Sequence, residues 1–153
     1  MWYYINRYLT GGVMELRPMT MEDADKMLEW KNYPETRMFA LKSHAEIYRE
    51  DHLKWLEKNI QYFQIIIHDN KVAGAIRLEN NEISVWIDKA FRGIGLATQA
   101  IKAVSRVGTI ARIVPANIPS IKAFIRCGFV PEQYVSKHDH ILGDTSYYIF
   151  IKH

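Results

Sequence analysis

Residues 87–98 read Ile87-Asp88-Lys89-Ala90-Phe91-Arg92-Gly93-Ile94-Gly95-Leu96-Ala97-Thr98, and their reading decides the fold. Ahead of them Ile83, Val85 and Ile87 alternate with polar residues, as a strand does. Behind them Ala97 to about Val107 predicts a helix. A helix start carries unpaired N–H groups and a partial positive charge, which suits a pyrophosphate. Gly93 and Gly95 lack a Cβ and let the backbone approach phosphate oxygens; Ala97 is small for the same reason, and Arg92 and Thr98 add charge and a hydroxyl. A lone Gly-x-Gly reads equally well as a plain tight turn, so the elements around it must decide.

Upstream, Leu16 to Pro18 ends a strand. Thr20 with Asp23 three residues on opens a helix carrying Met21, Ala24, Met27 and Leu28, stopped by Asn32 and Pro34. Ser43 with Glu46 predicts a second helix start, with Ile47, Leu53, Leu56 and Ile60 on its apolar side. Tyr62–His68, Val72–Leu78 and the strand ending at Ile87 form an antiparallel meander through turns at Asp69-Asn70 and Asn80-Asn81. Downstream come a strand from Thr109 to Val114, a helix from Ile118 to Cys127 capped by Gly128, and strands at Phe129–Val135 and Ser146–Ile151. The class is mixed α/β (α+β) around one sheet. A dinucleotide fold needs its glycine turn after the first strand of a parallel unit and an acid about 20 residues on, and Thr109-Ile110-Ala111-Arg112 offers none. A phosphate loop of the Gly-Lys-Ser/Thr kind is absent too.

The stretch Glu82–Ile101, EISVWIDKAFRGIGLATQAI, resembles the acetyl-CoA motif of the GNAT N-acetyltransferases, Arg/Gln-x-x-Gly-x-Gly/Ala with its preceding strand. Asn117-Ile118-Pro119-Ser120 and Arg126-Cys127-Gly128-Phe129 resemble the second motif of the branch that holds the ribosomal-protein alanine and nucleotide-aminosugar acetyltransferases. The resemblance runs from about Met14 to the C-terminus. It implies an acyl-CoA N-acyltransferase fold: a largely antiparallel sheet with splayed central strands, flanked by about four helices. It also implies acetyl-CoA as co-substrate, with the pantetheine arm along Val85, Trp86 and Ile87. The phosphates then lie on Arg92, Gly93, Ile94, Gly95, Leu96, Ala97 and Thr98, and further cofactor contacts come from Asn117, Ser120 and Phe124.

Attack on a thioester needs a neutral amine, and alkylammonium groups titrate near ~10, so a base or water chain is useful. Glu79 and Glu82 flank the turn before the motif strand and are the candidate bases; solvated hairpin charges are the plainer reading. His68 and His52 are weaker candidates, His52 within a His-Leu-Lys-Trp-Leu pattern that packing explains as well. Many members carry a tyrosine acid seven residues after the motif asparagine, where this chain has Phe124; Ser120 is the substitute, or equally a helix cap. Gln99 stands where the branch usually has Glu. The segment Trp30-Lys31-Asn32-Tyr33-Pro34-Glu35-Thr36-Arg37 resembles the acceptor loop of enzymes acting on nucleotide-linked aminosugars. Trp30, Asn32 and Arg37 are therefore candidate acceptor contacts, with Lys31 and Arg37 able to meet a phosphate and Trp30 or Tyr33 able to stack; Trp30 as a core residue with the charges solvated is an equal reading. A protein N-terminus or a small amine remains an equal acceptor. The rival function is a CoA-binding sensor or scaffold without catalysis.

Of 153 residues, 48% are hydrophobic and 24% charged, the balance of a single globular domain. The formal charge of +3 gives no basic stripe, which argues against nucleic acid, and no apolar run is long enough to span a membrane. Cys127 alone can form neither an intrachain disulfide nor a cysteine zinc cluster, which fits a cytoplasmic setting; it reads as a packing residue, and no metal site is expected. Residues 1–13, aromatic and ending in Gly11-Gly12, read as an extension or a docked extra strand, with residues 14–153 as the acetyltransferase domain. The partner is a small-molecule or peptide amine, and the protein a monomer or homodimer.

Overall fold

The structure, a computed structural model, describes residues 4–6, 14–140 and 143–153. The reading of residues 1–13 as an extension therefore lies almost wholly outside the described residues. Within that stretch only the backbone of Tyr4–Asn6 is described, and it forms a short strand β1 antiparallel to β2.

Among the described residues, eight strands make one sheet in the order β1-β2-β3-β4-β5-β6-β8-β7. β2 (Met14–Pro18), β3 (Phe63–His68), β4 (Lys71–Glu79) and β5 (Glu82–Ile87) run antiparallel in succession. β6 (Ile110–Ile113) lies parallel to β5, and β8 (Gly143–Lys152) sits between β6 and β7 (Phe129–Asp139). Five α-helices among the described residues flank the sheet: α1 (Ala24–Lys31), α2 (Pro34–Met38), α3 (Arg49–Asn59), α4 (Leu96–Val104) and α5 (Ile118–Arg126).

Local chemistry accounts for most of these boundaries. Asp69 and Asn70 (φ 48° and 62°) and Asn80 and Asn81 (φ 49° and 66°) form two-residue hairpin turns that need positive φ at both places, which Asn and Asp tolerate. Before α1, Thr20 and Asp23 form the expected capping box, and Arg17 grips the Asp23 carboxylate at 2.7 and 2.8 Å. Pro34 stops α1 but then serves as the first residue of α2, a helix the sequence reading does not contain. The expected start at Ser43 and Glu46 is also corrected, because α3 begins only at Arg49. Ser43 Oγ accepts from Ala45 N in a local turn, and the Asn32 side chain holds both the N–H and the carbonyl of Ile47, keeping that segment out of the helix.

Two cores form, one on each face. Leu96, Ala100 and Ile101 of α4 and Phe124 of α5 pack with Ile76, Ile83 and Phe150 on one face. Met27 and Trp30 of α1 and Leu56 of α3 pack with Phe63, Ile65 and Ala75 on the other. The sheet is not continuous in its middle. β5 and β6 are registered only at Glu82 and Ile110, where Ile110 N donates to the Asn81 carbonyl at 2.9 Å, and beyond that pair they part. This is the splay that the resemblance implies.

Candidate functional site

The gap between β5 and β6 exposes one edge of β5. Asp88 N–H bonds to Ala73 O on the β4 side, so by strand alternation the N–H and carbonyl groups of Val85 and Ile87 point the other way, into the gap. The Ile87 carbonyl there accepts a bond from Arg92 Nε at 3.3 Å. The Val85 and Ile87 side chains pack on the α4 face, while Trp86 turns to the other face and lies 5.8 Å from Phe63, ring to ring. Gly74 supports this strand from behind. A Cβ at Gly74 would sit 2.2 Å from the Trp86 carbonyl oxygen, so the backbone approach there requires glycine.

From Ile87 the chain passes through Asp88, which anchors it twice. Asp88 Oδ1 accepts from Ala90 N at 2.9 Å, and Oδ2 accepts from the Trp30 indole N–H at 3.0 Å. Burial opposes ionisation of this carboxyl, but the N–H groups of Trp30 and Ala90 outweigh it and hold its pKa below the usual aspartate value. Gly93 and Gly95 then adopt φ of +81° and +83°, and α4 starts at Leu96 with Gly95 as its N-cap and no side chain capping it. The first helical bond runs from Gln99 N to Gly95 O, which leaves the N–H groups of Leu96, Ala97 and Thr98 without helical partners. A Cβ on Gly93 or Gly95 would meet nothing within 4 Å. Glycine is thus set by the left-handed backbone, and the space above the turn is open to a ligand. Leu96 itself is buried, so it contributes only its backbone, while Ile94 is exposed. The turn fits a phosphate group on these observations.

Arg92 is not free. Its Nη1 donates to Glu35 Oε1 of α2 at 2.8 Å, and its guanidinium lies 5.3 Å from the Tyr33 ring centre. Lys89 joins them, 4.0 Å from Glu35 and 4.4 Å over Tyr33, a second cation beside the turn that the sequence reading passed over.

On α5, Asn117 is the N-cap, its Oδ1 accepting from Ser120 N at 3.4 Å. Ser120 is therefore not the cap, and its half-buried hydroxyl makes no hydrogen bond among the described residues. Phe124 is 3% exposed and packs edge-on against Phe129 at 4.9 Å; the core takes its ring, which corrects its assignment as a cofactor contact. Cys127 is buried beside the Thr98 carbonyl, and burial pushes its thiol pKa up, as suits a packing residue.

The carboxylates meet as cross-strand neighbours, Glu79 opposite Glu82. Both are ion-paired: Arg112 Nε reaches the two Glu82 oxygens at 3.0 and 3.1 Å, and Arg77 holds Glu79. Trp30 is fully buried with its N–H spent on Asp88, so no face is left to stack on a base or sugar, a correction to its assignment as an acceptor contact. Asn32 is spent on Ile47, and Arg37 is half-buried with its Nε unpartnered. His52 is buried with Nε2 on the Ala24 carbonyl at 3.0 Å, and burial lowers its pKa. His68 is buried beside Asp69. Asp88, Glu35, Lys89 and Gly74 are the site residues the sequence reading missed. Asp88 alone left a trace, an Asp two residues before an N–H at the end of a strand, the pattern of a local side-chain turn.

Among the described residues no group of three or more His, Cys, Asp or Glu is placed to hold a metal ion, and no helix is long and apolar enough to cross a membrane.

A mostly antiparallel sheet parted at its centre, beside an uncapped glycine-led helix start, defines the class: an acyl-CoA-dependent transferase. The family profile described as the acetyltransferase (GNAT) domain matches residues 14–130, and the chain belongs to that family. No curated protein matches it in sequence. Among solved structures, a GNAT-family acetyltransferase from Bacillus anthracis is similar at 19% identity and TM-score 0.76, over 99% of this chain and 98% of that one. The ribosomal alpha-N-protein acetyltransferase RimL in complex with coenzyme A is similar at 18% identity and TM-score 0.73, over 97% and 98% of the chains. The spermidine N-acetyltransferase from Vibrio cholerae, in complex with CoA and spermine, is similar at 15% identity and TM-score 0.75, over 90% and 94%. At these identities the likeness is one of fold.

Proposed function

We propose that this protein transfers the acetyl group of acetyl-CoA to a primary amine by direct attack on the thioester. The observation that carries this is the junction of two features: the open β5 edge at Val85 and Ile87, and the uncapped N-terminus of α4 behind Gly93 and Gly95. A thioester with a pyrophosphate tail needs both, a peptide-like edge for its amide groups and an anion site at one end. The coenzyme A in the RimL and spermidine acetyltransferase structures supports the same ligand here.

The N–H groups of Leu96, Ala97 and Thr98 take the phosphates, with Lys89 and Arg92 adding charge once Arg92 leaves Glu35. Val85 and Ile87 pair with the pantetheine amides, and a β5 N–H polarises the thioester carbonyl. The amine lone pair forms the C–N bond, the C–S bond breaks, and the amine proton departs. Glu82 receives that proton, directly or through water, from the place where β5 and β6 part; Glu79 supports it from the neighbouring strand. Ser120, with its hydroxyl unengaged, donates a hydrogen bond to the departing thiolate and relays to it a proton from water, so that the hydroxyl is regenerated as the thiol forms. A thiol of pKa near ~8.5 leaves tolerably without an acid, so Ser120 assists rather than decides.

The acceptor is an amine on a small molecule or peptide, with nucleotide-linked aminosugars and protein N-termini among the candidates. Two observations favour a non-catalytic CoA sensor: Glu79 and Glu82 are both held by arginines, and Phe124 occupies the usual acid position. Free-thiol release with acetyl-CoA across aminosugar nucleotides, peptides and polyamines decides. Amine-dependent release that falls about 10²-fold in Glu82→Gln supports the enzyme and its base. Binding of acetyl-CoA with no release for any amine supports the sensor.

A further inference from the structure

A pocket opens between the end of α1 and the start of α3, lined by Lys31, Ile47, Asp51, His52 and Trp55. Its lysine is not ion-paired, although Asp51 also lines the pocket. The Lys31 ammonium lies 3.6 Å from the centre of the Trp55 ring, and no carboxylate among the described residues comes within ion-pair distance of it. Burial, with repulsion from Arg77 and Lys42, pulls its pKa down to about 8. A half-buried cation normally has a counter-charge, and this one has only an aromatic face. Asp51 sits on the exposed first turn of α3 and does not reach it. Glu79 and Glu82 are already taken by Arg77 and Arg112.

The pocket also holds an unmet acceptor. His52 is 1% exposed, and its Nε2 faces the Ala24 carbonyl, which can only accept. That nitrogen therefore carries the proton, and Nδ1, buried and without a partner, is left as a lone pair. From the pocket a row of rings leads to the reaction strand. Trp55 meets Phe63 at 5.7 Å, and Phe63 meets Trp86 of β5 at 5.8 Å.

Resting on the acetyltransferase reading above, we infer that this pocket receives a carboxylate or phosphate of the acceptor on Lys31, with the rest of the molecule passing the half-buried Trp55 and Trp86, which the buried Phe63 holds in one row, towards the thioester. The acceptor is then an amine that carries an anionic group, and polycations are disfavoured. A second ammonium would meet Lys31 and Arg77 and find Glu79 and Glu82 occupied. The spermidine acetyltransferase that shares the fold is in this respect a guide to architecture and not to acceptor.

The test uses matched amines: glucosamine 6-phosphate against glucosamine, alanyl-phenylalanine against its C-terminal amide, and spermidine as the polycation. In at least one pair the anionic member is expected to exceed the neutral one about tenfold or more in kcat/KM. Lys31→Met is expected to bring that ratio close to one, and Lys31→Arg to keep it. A merely structural lysine would lower both members alike and leave the ratio unchanged. The two pairs separate phosphate from carboxylate. Calorimetric titration of the CoA-loaded protein with the same probes needs no turnover. Binding of an anionic probe that Lys31→Met removes, with no amine acetylated, keeps the pocket and sinks the acetyltransferase reading. No binding or turnover preference for either anion, or a preference that survives Lys31→Met, overturns the inference.

Discussion

Replacing Gly95 with alanine separates the two jobs that the glycine turn performs. Gly95 has φ +83°, and a Cβ there would meet no protein atom within 4 Å, so the folding penalty is purely conformational. Placing an L-residue in the left-handed region costs about 1–2 kcal/mol. For a chain of this size that lowers Tm by roughly 2–8 °C. The structure supplies its own control in Gly108, which has φ +89°, equally open surroundings, and a place beside β8, away from the glycine turn. Gly108→Ala should cost the same stability. The variants should differ in cofactor binding, because only the Gly95 Cβ enters the space assigned to phosphate. Calorimetry with CoA should show Gly108→Ala at the wild-type Kd and Gly95→Ala weaker by about tenfold or more, the loss of one or two hydrogen bonds to a charged group. Equal affinity of the two variants, with equal loss of Tm, would refute the assignment of phosphates to this turn.

Asp88 should make the fold sensitive to acid. Its folded pKa is depressed, so its contribution is present above the unfolded aspartate value and is lost as pH falls through the folded one. Urea midpoints should drop below about pH 4, and this drop should be smaller in Asp88→Asn, which should also be less stable than wild type at pH 7. Gly74→Ala should be the most damaging small substitution in the sheet, about 3 kcal/mol, because its Cβ meets the Trp86 carbonyl at 2.2 Å and both sides are backbone; a denaturant midpoint near wild type would show that β4 and β5 do not approach so closely. Glu35→Gln frees Arg92 and should tighten CoA binding up to about threefold with little change in Tm, since the pair is exposed and weak; weaker binding would mean that Glu35 holds Arg92 in place for the phosphates.

What could be read from the sequence was what short stretches decide for themselves. Asp69-Asn70 and Asn80-Asn81 announce tight hairpins, Thr20 and Asp23 form their capping box, and the glycine turn follows a strand and opens a helix, all within a few residues. Where distant residues intervene, the reading failed. Ser43 and Glu46 look like a helix start, but Asn32 reaches across and keeps Ile47 out of the helix. Trp30 reads equally as a ligand platform or a core residue, and only the fold decides for the core by bonding it to Asp88, 58 residues on. Glu79 and Glu82 look like free carboxylates until the sheet brings Arg77 and Arg112 beside them. Lys31 carries no local sign of its surroundings, because Trp55, whose ring it faces, and Arg77, which repels it, come from α3 and β4.

The central claim, that the thioester lies in the gap between β5 and β6 with its phosphates on the start of α4, is tested most directly by mapping backbone amide shifts as acetyl-CoA is added. The account expects the largest changes at Val85 and Ile87 and at Leu96, Ala97 and Thr98, two segments joined only by the glycine turn. Binding that moves neither segment, or that moves α4 while leaving β5 unchanged, would contradict it.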